Sequence, residues 1–377
     1  MRQLKSIGAL LIVVIFAVTS VIIPASAREV NHGDGTSAVF VAYTPTESMS
    51  APNLDSIFRD LKLIQTMGFD GVKLWDTADL CYRGWLDPVL NETDKLDLRV
   101  NVVYQFPNQV QSFPITESSV TAVGHDVAKI GTITRMHPSV AWNSLYAPFD
   151  WQMDSSHQVS IVRSQDYRDQ LDTVIRMIKT TDPIHEVKVA IDFDPSIGFQ
   201  FLKNSDGYGI MPYSTVDNSI DWGRTLSQVD YFARQDKSVY IDEWGLHSHG
   251  DLTYGRAATD QQKAQLIVEY ARFDRSVGLD WTYFMLTDRI PSISFENGVD
   301  WGIVNMDRTL RSSGIQMETF LHGRTITPKL PSNGVQNFSM DFLVIDHANR
   351  PRAAPNGERF PFEYFLFRDN FEAFRSR

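Results

Sequence analysis

The chain has 377 residues and only one cysteine, Cys81. No internal disulfide can staple it, so its stability has to come from a buried core. Beyond the first 27 residues it lacks any apolar run long enough to cross a bilayer as a helix. It also lacks a glycine-rich phosphate turn, which removes the usual signature of a nucleotide or dinucleotide site, and no cofactor is expected. Positive charge is short: 35 Lys and Arg stand against 46 Asp and Glu, a net charge of −11. That balance disfavours nucleic acid and anionic membrane surfaces as partners. There is no internal repeat and no low-complexity tract.

What the chain does contain is enough apolar material for one large domain, or one domain with an appendage: 43% of residues are hydrophobic and 12% aromatic. At the N-terminus, Arg2 and Lys5 precede an apolar run from Ile7 to Ile23, and Ala25-Ser26-Ala27 supplies small residues for cleavage. Residues 1–27 therefore read as a secretory signal, with the mature chain starting near Arg28; an uncleaved N-terminal anchor is the alternative. In either case the remainder is extracytoplasmic. Asn91-Glu-Thr and Asn337-Phe-Ser match the glycosylation triplet, a pattern too short to carry weight alone.

From Ser37 onward, short strand-like runs alternate with longer helix-like ones for eight rounds. The strands are expected at Ala38 to Tyr43, Gly71 to Trp75, Arg99 to Phe106, Val140 to Tyr146, Val187 to Phe193, Gly207 to Tyr213, around Val239 to Glu243, and Asp280 to Leu286. Between them lie amphipathic stretches. Leu54, Ile57, Phe58, Leu61 and Ile64 form one apolar stripe, and Leu171, Val174, Ile175 and Ile178 another. Regular alternation implies a parallel sheet covered by helices, and eight rounds favour a closed (β/α)8 TIM barrel over 38–322. Past about Thr325 the rhythm breaks. Pro328, Pro331, Pro351 and Pro355 punctuate the sequence, and Phe338 to Ile345 and Phe360 to Phe367 look like strands. Residues 325–377 are thus expected to form a small C-terminal β appendage.

The stretch that concentrates chemistry is Lys237 to Gly245, KSVYIDEWG. With side chains alternating along a strand, Val239, Ile241 and Glu243 share one face and Tyr240, Asp242 and Trp244 the other. Glu243 then ends an apolar row at the carboxyl end of a parallel strand, where barrels bind ligands.

Several segments together resemble the clan of retaining glycoside hydrolases built on (β/α)8 barrels, of the cellulase and β-mannanase type. They are Met67-Gly-Phe-Asp-Gly-Val-Lys-Leu-Trp75, His137-Pro-Ser-Val-Ala-Trp142, Asp206-Gly-Tyr-Gly-Ile-Met-Pro-Tyr213, Val239-Tyr-Ile-Asp-Glu-Trp-Gly245 and Asp300-Trp-Gly-Ile-Val-Asn-Met-Asp-Arg-Thr309. The resemblance implies a secreted enzyme acting on a β-linked polysaccharide or glycan, with Glu243 as nucleophile, Tyr213 supporting it, and Lys73 where a sugar-site Arg is common. One departure stands out. Where the clan's fourth strand ends in Asn-Glu-Pro, this chain reads Tyr146-Ala147-Pro148, so the acid/base Glu is replaced by Ala147. Retaining hydrolysis uses two carboxyl groups about 5–5.5 Å apart, and loss of a general acid costs roughly 10²–10⁴-fold.

Asp150, three residues past Ala147, is the first candidate for a displaced acid. Glu47, Asp76, Asp79, Asp192, Asp194 and Glu296 are further loop carboxylates, each of which also suits a solvated turn. His247 and His249 lack the companions of a metal site, and no metal is expected. Aromatic residues at the strand ends suit stacking on sugar faces: Trp75, Tyr146, Trp151, Trp244 and Phe284 are the candidates for contact with a carbohydrate, with Trp151 and Trp244 the ones expected to be exposed. A catalytically impaired barrel that binds glycan or protein at the same cleft is the competing reading.

Overall fold

The computed structural model describes residues 37–105, 117–146, 165–191, 199–212, 222–233, 235, 237–246, 259–288, 301–323, 344–345 and 351–352. Eight parallel strands close into a barrel, in chain order: β1 Val39–Tyr43, β2 Gly71–Leu74, β3 Arg99–Gln105, β4 Val140–Tyr146, β5 Glu186–Ile191, β6 Gly207–Ile210, β7 Ser238–Trp244 and β8 Trp281–Tyr283. Pairing of Val39 with Trp281 and of Val41 with Tyr283 seals β1 to β8. The expected (β/α)8 architecture is therefore what the chain adopts.

The helices follow the apolar stripes. They are α1 Leu54–Thr66, α2 Thr77–Tyr82, α3 Leu86–Leu96, α4 Glu117–Thr134, α5 Gln165–Thr181, α6 Trp222–Ala233, α7 Asp260–Val277 and α8 Ser312–Leu321. Asn53 caps α1, its side chain accepting the Ser56 amide at 3.0 Å, and Ile57, Leu61 and Ile64 turn inward from that start. On α5, Leu171, Val174, Ile175 and Ile178 are all buried, as their spacing requires. The short α2, directly after β2, was not expected. It opens on Asp76 in a left-handed backbone conformation, φ 33°, and packs against β3, α3 and α4.

Alternation along each strand divides the barrel into two cores. Val39, Val41, Val72, Leu74, Val187, Val189, Val239 and Ile241 pack against the helices. The residues between them point into the ring, where Ala38, Phe40, Trp142 and Tyr240 form a separate cluster. Phe40 and Tyr240 each meet the Trp142 ring edge-on at 5.0 Å, closing the lower half of the barrel with aromatic rings. Gly209 makes the space: a Cβ there would lie 2.5 Å from the Tyr240 ring and 2.7 Å from the Asp242 Cβ. Strands six and eight are shorter than expected, ending at Ile210 and Tyr283.

Beyond the barrel, β9 Val344–Ile345 and β10 Pro351–Arg352 pair antiparallel. The second expected strand of the appendage, Phe360 to Phe367, lies outside the described residues, as do residues 1–27. No helix among the described residues is long and apolar enough to cross a membrane.

At the amino end of the barrel a buried carboxylate ties three elements together. Asp182, after α5, accepts hydrogen bonds from Thr134 Oγ1 at 2.7 Å, Asn143 Nδ2 at 3.0 Å and His185 Nδ1 at 2.9 Å. Burial pushes this carboxyl up, but the bonds from His185, Asn143 and Thr134 together outweigh it and hold it below the usual carboxylate value. A depressed folded-state pKa means that the stabilisation is complete above the unfolded value of about 3.9 and is lost as pH falls through the folded value. Asp182→Asn is expected to lower stability at pH 7 by about 1–3 kcal/mol and to flatten the loss of stability below about pH 4. Urea unfolding of both proteins between pH 2 and 7 measures this, and parallel pH dependences would refute it.

Candidate active site at the carboxyl end of the barrel

The strand β7 carries a bulge. Ile241 pairs with Trp281 and Trp244 with Tyr283, so three steps along β7 match two along β8. An extra residue in a strand breaks the strict alternation of faces. The expectation that Glu243 shares a face with Val239 and Ile241, opposite Asp242 and Trp244, is corrected accordingly. Trp244 joins Ile241 on the helix side, packing on Tyr270 at 5.2 Å, Trp281 at 5.6 Å and Tyr283 at 5.1 Å. It is 1% exposed, so it is a core residue and offers no surface to a sugar. Asp242 and Glu243 both turn into the barrel.

There they meet Lys73, which the alternation on β2 points inward between Val72 and Leu74. The Lys73 ammonium donates to Asp242 Oδ2 at 2.5 Å and to Glu243 Oε1 at 2.9 Å. All three side chains are buried. The other oxygen of each carboxylate is also engaged. Tyr146, the last residue of β4, donates its phenol to Glu243 Oε2 at 3.0 Å. Tyr240 donates to Asp242 Oδ1 at 2.8 Å, and Ser144 Oγ lies 2.9 Å from the Tyr240 oxygen. Burial, then the Asp242 charge, push the Tyr240 phenol far above its usual value, which keeps it a proton donor to that carboxylate.

An aromatic wall stands above the charges. The Lys73 ammonium lies 4.8 Å from the centre of the Trp75 ring and 4.5 Å from that of Tyr146, a cation–π arrangement. Trp75 meets Tyr146 edge-on at 4.2 Å and Phe284 at 6.4 Å, and Phe284 meets Trp301 at 5.6 Å. Trp75, Met285 and Trp301 are buried, while Tyr146 and Phe284 keep partial exposure. The Phe284–Met285 peptide bond is cis. Gly245 is what lets this wall form beside Glu243: a Cβ there would sit 2.2 Å from the Phe284 carbonyl oxygen and 3.1 Å from the Trp301 ring.

Of the residues singled out from the sequence, the structure brings together Glu243, Lys73, Trp75, Tyr146 and Phe284. Asp150, Tyr213 and Trp151 lie outside the described residues, as do Ala147, Asp192, Asp194, His247, His249 and Glu296. The three remaining candidate acids are placed, Glu47 half-buried in the turn after β1 with its amide donating to the Thr44 carbonyl at 3.2 Å. Asp76 is buried and accepts from the amide and hydroxyl of Thr46, both at 2.9 Å, which commits it to bracing the loop after β1. Asp79 pairs with Arg83 one turn along at 2.7 Å on the surface. Among the described residues no group of His, Cys, Asp and Glu is arranged to hold a metal ion.

Sequence reasoning missed Asp242 and Trp301. Asp242 was assigned away from Glu243 because the bulge leaves no trace in the pattern of apolar residues. Trp301 lies in a segment recognised by resemblance, but nothing local marks its ring as part of the wall.

Chemically, the arrangement holds a carboxylate by two donors at the mouth of a barrel. Such a group can act as a nucleophile or as an electrostatic partner to a cationic transition state.

No family model matches the chain, and no curated protein does. Solved structures do match it in fold. The β-glucuronidase of Bifidobacterium dentium complexed with coumarin-3-O-glucuronide superposes with a TM-score of 0.59 at 13% identity, over 76% of this chain and 46% of that one. A GH2 β-galacturonidase from Eisenbergiella tayi, bound to galacturonate, gives 0.57 at 14% identity over 75% and 50%. A GH5_18 structure from Streptomyces cattleya in complex with Manb1-4GlcNAc gives 0.55 at 13% identity over 78% and 82%. The chain thus spans about half the length of the two former proteins, and at these identities the likeness is one of fold.

The triad of charges yields a stability test. Lys73→Met strands two buried carboxylates and is expected to cost about 3–5 kcal/mol, whereas Lys73→Met combined with Asp242→Asn should recover part of that loss. Chemical denaturation of the two variants decides the point; a single variant as stable as wild type would show that the ammonium does not hold the cluster.

Proposed function

We propose that this chain is a secreted glycoside hydrolase acting on a β-linked polysaccharide or glycan, with Glu243 as the nucleophile. The observation that carries the reading is the seating of Glu243 at the end of β7, each carboxylate oxygen held by a donor, Lys73 on one and Tyr146 on the other. Fixing both oxygens removes rotational freedom from the attacking group before substrate arrives. The barrel likeness to glycoside-hydrolase structures supports the same reading at the level of fold.

In this scheme Glu243 attacks the anomeric carbon and the leaving oxygen takes a proton from a general acid. With Ala147 in the place of the acid/base Glu, Asp150 is the residue assigned to that step, and Tyr213 is assigned a supporting hydrogen bond to the nucleophile. Tyr146 and Phe284, which keep partial exposure, would flank the sugar with Trp75 packed behind them, and Trp151 would extend the contact. Residues 1–27 serve as the export signal.

A second reading is favoured by one observation. Glu243 is only 1% exposed with both oxygens engaged, an arrangement that also suits a barrel that binds glycan without cleaving it.

The two separate on a panel of natural and activated aryl β-glycosides, assayed with wild type, Glu243→Gln, Tyr146→Phe and Asp150→Asn. A hydrolase of the proposed kind loses roughly 10³-fold or more with Glu243→Gln and about 10–100-fold with Tyr146→Phe, which removes one hydrogen bond to a charged group. Asp150→Asn should fall by about 10²–10⁴-fold on natural substrates, with activated ones spared and azide accelerating their turnover. Activity unchanged by Glu243→Gln would discard the nucleophile assignment, and binding without cleavage of any glycoside would establish the second reading.

A further inference from the structure

Behind the site, outside the ring of strands, a fully buried lysine reaches toward the aromatic wall. Lys263 lies in the first turn of α7 and is 0% exposed. Its ammonium donates to the backbone carbonyl of Trp301 at 2.6 Å and to that of Gly302 at 2.9 Å. A wholly buried ammonium is rare, because desolvation costs several kcal/mol unless the charge is closely hydrogen-bonded. Here the charge is directed at the segment that carries one wall residue.

Neighbouring groups grip the same segment. Tyr283 donates its phenol to the Trp301 carbonyl at 3.3 Å, and the Gly302 amide donates to Asp288 Oδ1 at 2.7 Å. Asp288 is in turn paired with Arg311. Ile303 and Val304 then bond back to the carbonyl of Leu286 at 3.0 and 2.9 Å. On the opposite side of this anchored backbone the Trp301 ring packs on Phe284 and over Gly245, in one cluster with Trp75 and Tyr146.

We propose that Lys263 is a positioning residue: without touching any ligand, it fixes the backbone of Trp301 and so sets where the ring stands in the wall that receives the sugar. The inference rests on the hydrolase reading for the identity of the ligand, but the anchoring itself does not. Because both carbonyls take bonds from one point charge, removing that charge takes a bond from each at once and leaves the Trp301 carbonyl only the longer bond from Tyr283, so the ring loses its fixed place in the wall while the strands keep their pairing.

The test uses the full chain with Lys263→Met, Lys263→Gln, Trp301→Ala and the Lys263→Met/Trp301→Ala pair. Hydrogen exchange is followed by mass spectrometry on the peptide containing residues 301–304, with β2 and β4 as internal references. KM and kcat are measured on the aryl glycoside that wild type cleaves best. Lys263→Met is expected to speed exchange in that peptide by about 10-fold or more, leaving the strands protected. It should raise KM by about 10-fold with kcat changed less than about 3-fold, and it should add nothing to the KM of Trp301→Ala, since both act through one ring. Lys263→Gln, which keeps a donor, should restore part of each effect and covers the case in which the Met variant does not fold. Unaltered exchange, a KM effect that adds to that of Trp301→Ala, or raised exchange with KM unchanged would overturn the proposal. If wild type cleaves no glycoside, the hydrolase reading fails, while the exchange measurement still decides whether Lys263 holds the segment.

Discussion

The interaction on which the site depends is the sharing of one buried ammonium by two adjacent carboxylates. Lys73 is closer to Asp242, at 2.5 Å, than to Glu243, at 2.9 Å. Both contacts are within hydrogen-bond distance, so the one ammonium holds the two carboxylates side by side at the end of β7. Without Lys73 the two carboxylates would repel each other inside a medium of low dielectric. Each of the three side chains is held by the others, and the bulge in β7 turns both carboxylates toward the ammonium.

That departure marks the boundary of what the sequence reveals. The eight strands, their order and most of the helix faces follow from periodicity, because burial on one face enforces a period of 2 or 3.6 that survives in the residue types. Leu171, Val174, Ile175 and Ile178 illustrate it: their spacing alone says that they are buried, and they are. Trp75 and Tyr146 are legible as aromatic residues at strand ends, whereas Lys73 is marked only by the resemblance to the glycoside-hydrolase clan. A bulge adds one residue without changing composition, so parity counted through β7 goes wrong after Ile241 and assigns Trp244 to the wrong layer. Nor does sequence reveal contacts between elements far apart in the chain. Tyr146 and Glu243 are separated by 97 residues, and nothing near either one announces the hydrogen bond between them. The short α2 was missed for another reason: at six residues it is too brief to show a period.

The site also shows how support is distributed around a barrel. Charge is set from below by Ser144, Tyr240 and Asp242, and shape is set from the side by Gly245, Phe284 and Trp301. The backbone of the last is tied to an adjacent helix rather than to the sheet. The two duties meet at Tyr146, which stands in the wall and also donates to Glu243, so a change there disturbs both.

The floor of aromatic rings built by Phe40, Trp142 and Tyr240 has a consequence for solvent. It packs the barrel interior on the amino side of the ion cluster, whose three side chains are themselves buried. Lys73, Asp242 and Glu243 are thus out of water before any guest arrives, and their attraction acts through a medium of low dielectric from the start. The fold alone sets the strength of that attraction, and it does not wait on a bound molecule.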